Sequence, residues 1–230
     1  MLRLIVCLLL AFPAFAADLP FVVSPNFTPT GPTTAQGVLV WLHGTYAADA
    51  PGPPDEPDIV ARLAGQGLDV WRFNRARGQD PLGGSGETLA RGLAGLRSSG
   101  YRRIVVAGHS RGAWIALTAI EHADAVVAIS PAAFGTRPER QAEGMRAWRT
   151  LWESTRPSRA RVVLVQLADD PYDPYPDERL SIVRVHADRV GLTMLSLLHP
   201  AQPRGHIGVY ELEFDETLGD GIAAFVAAER

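Results

Sequence analysis

The chain has 230 residues, 47% of them hydrophobic, with 22 basic and 25 acidic side chains and a formal charge of −3. That is apolar material for one substantial core and predicts a single domain. The near-even charge balance suggests no face built for polyanions, so neither nucleic acid nor an acidic lipid surface is an expected partner. All 22 basic residues are arginine. Without lysine there is no Schiff-base nucleophile, no pyridoxal phosphate anchor and no phosphate-loop lysine.

Residues 1–16 read as a signal peptide: Arg3 is the positive start, Leu4 to Phe12 an apolar run, and Ala14-Phe15-Ala16 a small-x-small cleavage site. The run is shorter than the roughly 20 residues a spanning helix needs, so the reading is removal and secretion to the periplasm or medium, without stable membrane insertion. The functional domain is then 17–230. Cys7, the only cysteine, lies inside this segment. A chain beginning near Ala17 has no disulfide, no cysteine nucleophile and no thiolate metal site.

After a proline-rich lead-in from Pro20 to Pro32, strand-like and helix-like segments alternate. The strand-like runs are Phe21 to Ser24 (weak), Gly37 to Leu42, Leu68 to Phe73, Arg103 to Ala107, Ala125 to Ile129, Arg161 to Leu167 and Thr193 to Leu198. They are rich in Val, Ile and Leu, as strands buried on both faces are. Helical spacing covers Asp58 to Gly67, Glu87 to Ser98, Arg111 to Ala123, Glu139 to Ser154, Asp177 to Arg189 and Glu216 to Ala228. The alternation predicts an α/β fold: a mostly parallel sheet with helices on both faces. Two Gly/Pro-rich loops, Thr45 to Pro57 and Ala76 to Gly86, follow strand ends, where open α/β sheets place their ligands. The segment from Pro131 to Pro157 is the one place for a cap, and its pattern at Met145, Trp148, Leu151 and Trp152 fits a single amphipathic helix. A large lid is therefore not expected.

Gly108-His109-Ser110-Arg111-Gly112 follows a strand and runs into a helix. This is Gly-x-Ser-x-Gly in the strand-turn-helix setting of a nucleophile elbow, where a strained turn projects the hydroxyl and glycines relieve clashes across it.

On these residues the chain resembles the α/β-hydrolase family, over essentially the whole of 37–230. The resemblance implies the order Ser, Asp or Glu, His along the chain and an oxyanion loop after an earlier strand. Trp41-Leu42-His43-Gly44-Thr45 is similar to that loop, with Thr45 and Arg111 supplying the backbone N–H donors and His43 bracing the turn. The histidine implied is His206, in a glycine-flanked loop between the last strand and the closing helix, with His199 the alternative. The acid falls in Ala168-Asp169-Asp170-Pro171-Tyr172-Asp173. The family's Asp-Pro turn points to Asp170, with Asp173 and then Asp169 as alternatives. His109 and Arg111 are given no catalytic side-chain role. Tyr46, Trp114, Phe134 and Tyr172 are candidates for lining an acyl or alcohol pocket, with plain core packing as the alternative.

The expected reaction is hydrolysis of a small carboxylic ester through an acyl-enzyme on Ser110, with no cofactor and no metal. Amide, peptide or thioester cleavage and acyl transfer use the same groups and stay open, as does a non-catalytic binding module on the same fold. The sequence assigns no oligomeric state.

Overall fold

The computed structural model describes residues 21–46, 50, 52–75 and 81–228. The expected signal peptide lies outside the described residues, as do parts of both Gly/Pro-rich loops. Seven strands form one sheet in the order β1-β3-β2-β4-β5-β6-β7. They are β1 (Phe21–Val23), β2 (Gly37–Leu42), β3 (Leu68–Phe73), β4 (Ile104–His109), β5 (Ala125–Ile129), β6 (Arg161–Gln166) and β7 (Thr193–Leu198). Only β1 runs antiparallel, against β3 at one edge. The remaining pairs are parallel.

Every residue of β2, β4 and β5 is buried, which is why these strands read as unbroken apolar runs. Alternation along each strand divides the core into two layers. Val38, Val40 and Leu42 pack with α2 (Leu82–Ser98), α3 (Arg111–Leu117), α4 (Pro138–Ser154) and α5 (Pro176–Val190). Leu39 and Trp41 face α1 (Asp58–Ala64), α6 (Leu212–Phe214) and α7 (Asp220–Ala227) on the other side. No described helix is long and apolar enough to cross a membrane.

Helix ends depart from the sequence reading where a local bond decides them. Pro81 sits at the N-cap of α2 and accepts the N–H of Ser85, so 82–86 form helix where a loop was expected. The helix expected over 111–123 stops as α3 at Leu117, where the Thr118 hydroxyl donates to the Ile115 carbonyl at 2.7 Å, and a short 3₁₀ turn follows. The closing helix starts earlier than expected, at Leu212, and carries a π-helical turn over Asp215–Gly219 that Arg62 of α1 ties down through Asp215. The segment between β5 and β6 holds the single helix α4, which buries Trp148 and Trp152.

The lead-in is anchored by one buried carboxylate. Asp69 of β3 accepts the N–H groups of Thr30 (2.7 Å) and Gly31 (2.8 Å), the Thr30 hydroxyl (3.1 Å) and the Tyr101 phenol (2.6 Å). Asp69→Ala strands four donors, so it is expected to lower the unfolding free energy by about 3 kcal/mol in urea titrations. A loss under about 0.5 kcal/mol, the range of an ordinary surface change, would contradict this anchoring.

Candidate active site

The site lies along the C-terminal edge of the parallel sheet, where four consecutive strands end in non-glycine residues with positive φ. They are Ser110 (φ 55°) after β4, Ser130 (45°) after β5, Asp169 (60°) after β6 and His199 (47°) after β7. Such strain persists only where the surroundings over-determine it. At Ser110 the N–H donates to the Ile129 carbonyl (3.0 Å), and the carbonyl accepts from Trp114 (3.0 Å) and Ala132 (3.1 Å).

The two glycines of the elbow have separate reasons. A Cβ on Gly108 would lie 2.7 Å from the Gly112 carbonyl carbon, across the turn, and one on Gly112 would lie 2.6 Å from the His43 carbonyl oxygen. Gly112 thus lets α3 rest on the end of β2. Gly44 follows there, and a Cβ on it would meet Ser110 Cβ at 3.1 Å and His109 Nδ1 at 3.0 Å. His43-Gly44-Thr45 therefore passes directly beside Ser110, and Arg111 opens α3, whose first-turn amides point out of the helix. The Arg111 guanidinium reaches the Ala133 carbonyl at 3.5 Å.

Ser110, His206 and Asp170 form one hydrogen-bonded chain. His206 Nδ1 lies 2.8 Å from Asp170 Oδ2, and its Nε2 lies 2.8 Å from Ser110 Oγ. An ionised carboxylate only accepts, so Nδ1 carries the proton and Nε2 accepts from the serine hydroxyl. The other oxygen of Asp170 accepts the Tyr172 N–H at 2.8 Å. The Asp170 side chain is 1% exposed and that of His206 13%. The competing aspartates have other work. Asp169 is a surface partner of Arg204, with its side chain 65% exposed. Asp173 is buried and pairs with Arg179 at 3.1 Å while accepting from Gln166 at 2.6 Å. The exposed His199 reaches neither group; its N–H bonds to Gln166. The loops bearing Asp170 and His206 are joined by a backbone bridge between Ala168 and Arg204 and by the Gly205 N–H on the Ala168 carbonyl at 2.7 Å. Gly205 takes φ +76°, a conformation that glycine adopts without penalty.

Contacts between residues distant in sequence complete the site. Tyr172 lies over His206 with ring centroids 4.3 Å apart. His109 Nε2–H donates to the His206 carbonyl at 2.7 Å, which holds the His206 loop from behind. Burial and the neighbouring His206 push the His109 imidazole down to about 4. Arg75, buried just beyond the end of β3, clamps the carbonyls of His43 and Gly44.

A cleft lined by Trp114, Phe134, Met145, Tyr172 and Arg179 adjoins the elbow through Tyr172, whose ring lies on His206, although neither Ser110 nor His206 is part of its wall. Trp114 and Phe134 meet edge to face at 5.6 Å, and Arg179 covers the Trp148 ring at 3.9 Å. Tyr46 sits apart from these aromatics, its ring 5.4 Å from that of His43.

No protein-family model matches the sequence, nor does any curated protein. Solved structures do resemble it. An esterase of Pyrococcus furiosus aligns with a TM-score of 0.60 at 15% identity, over 84% of this chain and 80% of that one. A phospholipase/carboxylesterase from Dyadobacter fermentans gives 0.58 at 14% identity, over 87% and 96%. A puromycin-hydrolysing peptidase of Mycobacterium tuberculosis gives 0.63 at 15% identity, over 90% of this chain and 37% of that longer one. The fold is thus the α/β-hydrolase fold that the elbow and the alternating elements lead one to expect.

His109 makes stability depend on pH. Its folded-state value of about 4 lies below the ordinary 6.5, so the unfolded chain binds the proton more readily between those values. The contribution is complete above about pH 6.5 and is lost as pH falls toward 4, on the order of 3 kcal/mol in all. His109→Gln, which keeps a donor near Nε2 but does not titrate, is expected to flatten stability against pH across that window. An unchanged slope would contradict the buried neutral imidazole.

Proposed function

We propose that the protein is a secreted serine hydrolase that cleaves small carboxylic esters through an acyl-enzyme on Ser110. The observation that carries this reading is the hydrogen-bonded chain from Ser110 through His206 to Asp170, set beside the Gly44 loop. His206 Nε2 takes the serine proton as Oγ attacks the ester carbonyl, and Asp170 holds the tautomer and stabilises the imidazolium. The N–H groups of Thr45 and Arg111 receive the oxyanion, helped by the N-terminal end of α3. Collapse of the tetrahedral intermediate breaks the acyl C–O bond, and the alcohol leaves with the proton from His206. Water, deprotonated by the same imidazole, then attacks the acyl-enzyme, releasing the acid and restoring Ser110.

The cleft lined by Trp114, Phe134 and Tyr172 takes the acyl group in this reading, and Tyr46, across the Gly44 loop, borders the alcohol side. The edge-to-face contact of Trp114 with Phe134 narrows this cleft, which favours short acyl chains. The esterase and the carboxylesterase among the similar structures support an ester substrate, whereas the puromycin-hydrolysing peptidase among them keeps amide cleavage as the second reading.

A panel of p-nitrophenyl esters from acetate to dodecanoate, run beside the matching anilides, tests this. Acetate and butyrate are expected to be hydrolysed fastest, the anilides far more slowly, and Ser110→Ala to lower kcat/KM by about 10³-fold or more. Phe134→Ala is expected to raise the octanoate-to-acetate ratio by opening the cleft. Absence of ester turnover in the folded protein would overturn the reading, and faster anilide cleavage would replace ester by amide.

A further inference from the structure

We propose that Arg75 is a positioning residue for the oxyanion hole, a buried cation that fixes the orientation of the peptide donating to the developing negative charge; this rests on the serine-esterase reading. Arg75 lies two residues beyond the end of β3, the strand next to β2, and is 6% exposed. One terminal nitrogen of its guanidinium, Nη2, donates to the His43 carbonyl and lies 3.4 Å from the Gly44 carbonyl. Its backbone N–H lies 3.3 Å from His43 Nε2. With Nε2 accepting, Nδ1 of His43 carries the proton and donates to the Gly44 carbonyl at 2.6 Å; Nη2 of Arg75, 3.2 Å from the same Nδ1, then faces a donor and forms no bond to it. The Gly44 carbonyl is thereby held from the protein interior by two groups, the His43 imidazole, which the Arg75 backbone N–H orients, and the Arg75 guanidinium, which alone is removed by a side-chain substitution.

The consequence follows from peptide geometry. In a trans peptide the C=O and the next N–H point in opposite directions. With the Gly44 carbonyl held inward by His43 and Arg75, the Thr45 N–H is turned outward. Gly44 lies against Ser110 Cβ and Thr45 is exposed, so outward here means toward the space above the serine. A cation bonded to the carbonyl also polarises the peptide and makes its N–H a stronger donor. Oxyanion stabilisation depends on donors aimed before the charge forms, so a tilt of this one peptide lowers kcat without changing what the substrate touches in the ground state.

The test uses the full-length protein with p-nitrophenyl acetate as substrate and phenylboronic acid as a mimic of the tetrahedral adduct, comparing Arg75→Met and Arg75→Lys with wild type. Thermal midpoints and near-UV circular dichroism verify folding. Arg75→Met is expected to lower kcat about 10- to 100-fold, leave KM within about threefold, and weaken boronate binding by a factor close to that of kcat. Arg75→Lys, which retains the charge but not the fork of donors, is expected to recover part of both losses. A folded Arg75→Met with kcat within about twofold of wild type, or with a raised KM and unchanged boronate affinity, overturns the proposal. Should Arg75→Met not fold, the same two measurements on Arg75→Lys decide: falling together they support the clamp, and unchanged they contradict it. Wild type inactive on every ester is a separate outcome, which removes the esterase reading and this proposal with it.

Discussion

The site depends on a close approach of two backbones: Gly112 in the first turn of α3 lies so near the carbonyls of Leu42 and His43 at the end of β2 that a Cβ on it would collide with both. Any side chain there would push helix and strand apart, and the two N–H groups proposed to meet the oxyanion lie on either side of that contact. Gly108 allows the turn to close on itself. Ser110, held at φ 55° between them, is bonded through its N–H to β5 and through its carbonyl to Trp114 and Ala132. The strain at the serine is therefore borne by the central strands of the sheet, the most deeply buried part of the molecule.

Outward from that contact, the ends of β4, β6 and β7 contribute Ser110, Asp170 and His206, and short backbone ties set the distances between them. The loops after β6 and β7 are linked by the Ala168–Arg204 bridge, the Gly205 N–H and the surface pair of Asp169 with Arg204. Asp170 and His206 are thus fixed relative to each other before either meets Ser110. His109 then connects the His206 loop back to the elbow. Such preorganisation is what acid-base and oxyanion chemistry needs, because the dipoles do not have to reorient when charge develops.

Much of this was legible in the sequence. The strands Gly37–Leu42 and Ala125–Ile129 end where their apolar runs end, because burial on both faces leaves no room for polar residues inside them; Leu68–Phe73 admits Asp69 and Arg72 only with bonded partners, and the half-buried Thr193–Leu198 admits Thr193 and Ser196. Ser110 could be named from its glycines, and His206 and Asp170 only through the family order. The three adjacent aspartates look alike in sequence; their partners Arg204, His206 and Arg179 arrive from other elements and separate them. Arg75 on His43, Tyr172 over His206 and His109 under it leave no periodic signal, since each joins residues 32 to 97 positions apart or depends on a side-chain orientation. Helix ends were missed for the opposite reason: bonds such as Thr118 to Ile115 are very local and outweigh the apolar periodicity.

The central claim, that Ser110 carries an acyl group during turnover, is tested most directly by mixing the protein with excess p-nitrophenyl acetate, quenching in acid within the first turnovers, and mapping the digest by mass spectrometry. The account predicts one acetyl group on the peptide containing Ser110, formed with a burst of p-nitrophenol and lost on further incubation before the quench. Ester hydrolysis with no acetyl on that peptide, or acetyl on another residue that Ser110→Ala does not abolish, would contradict it.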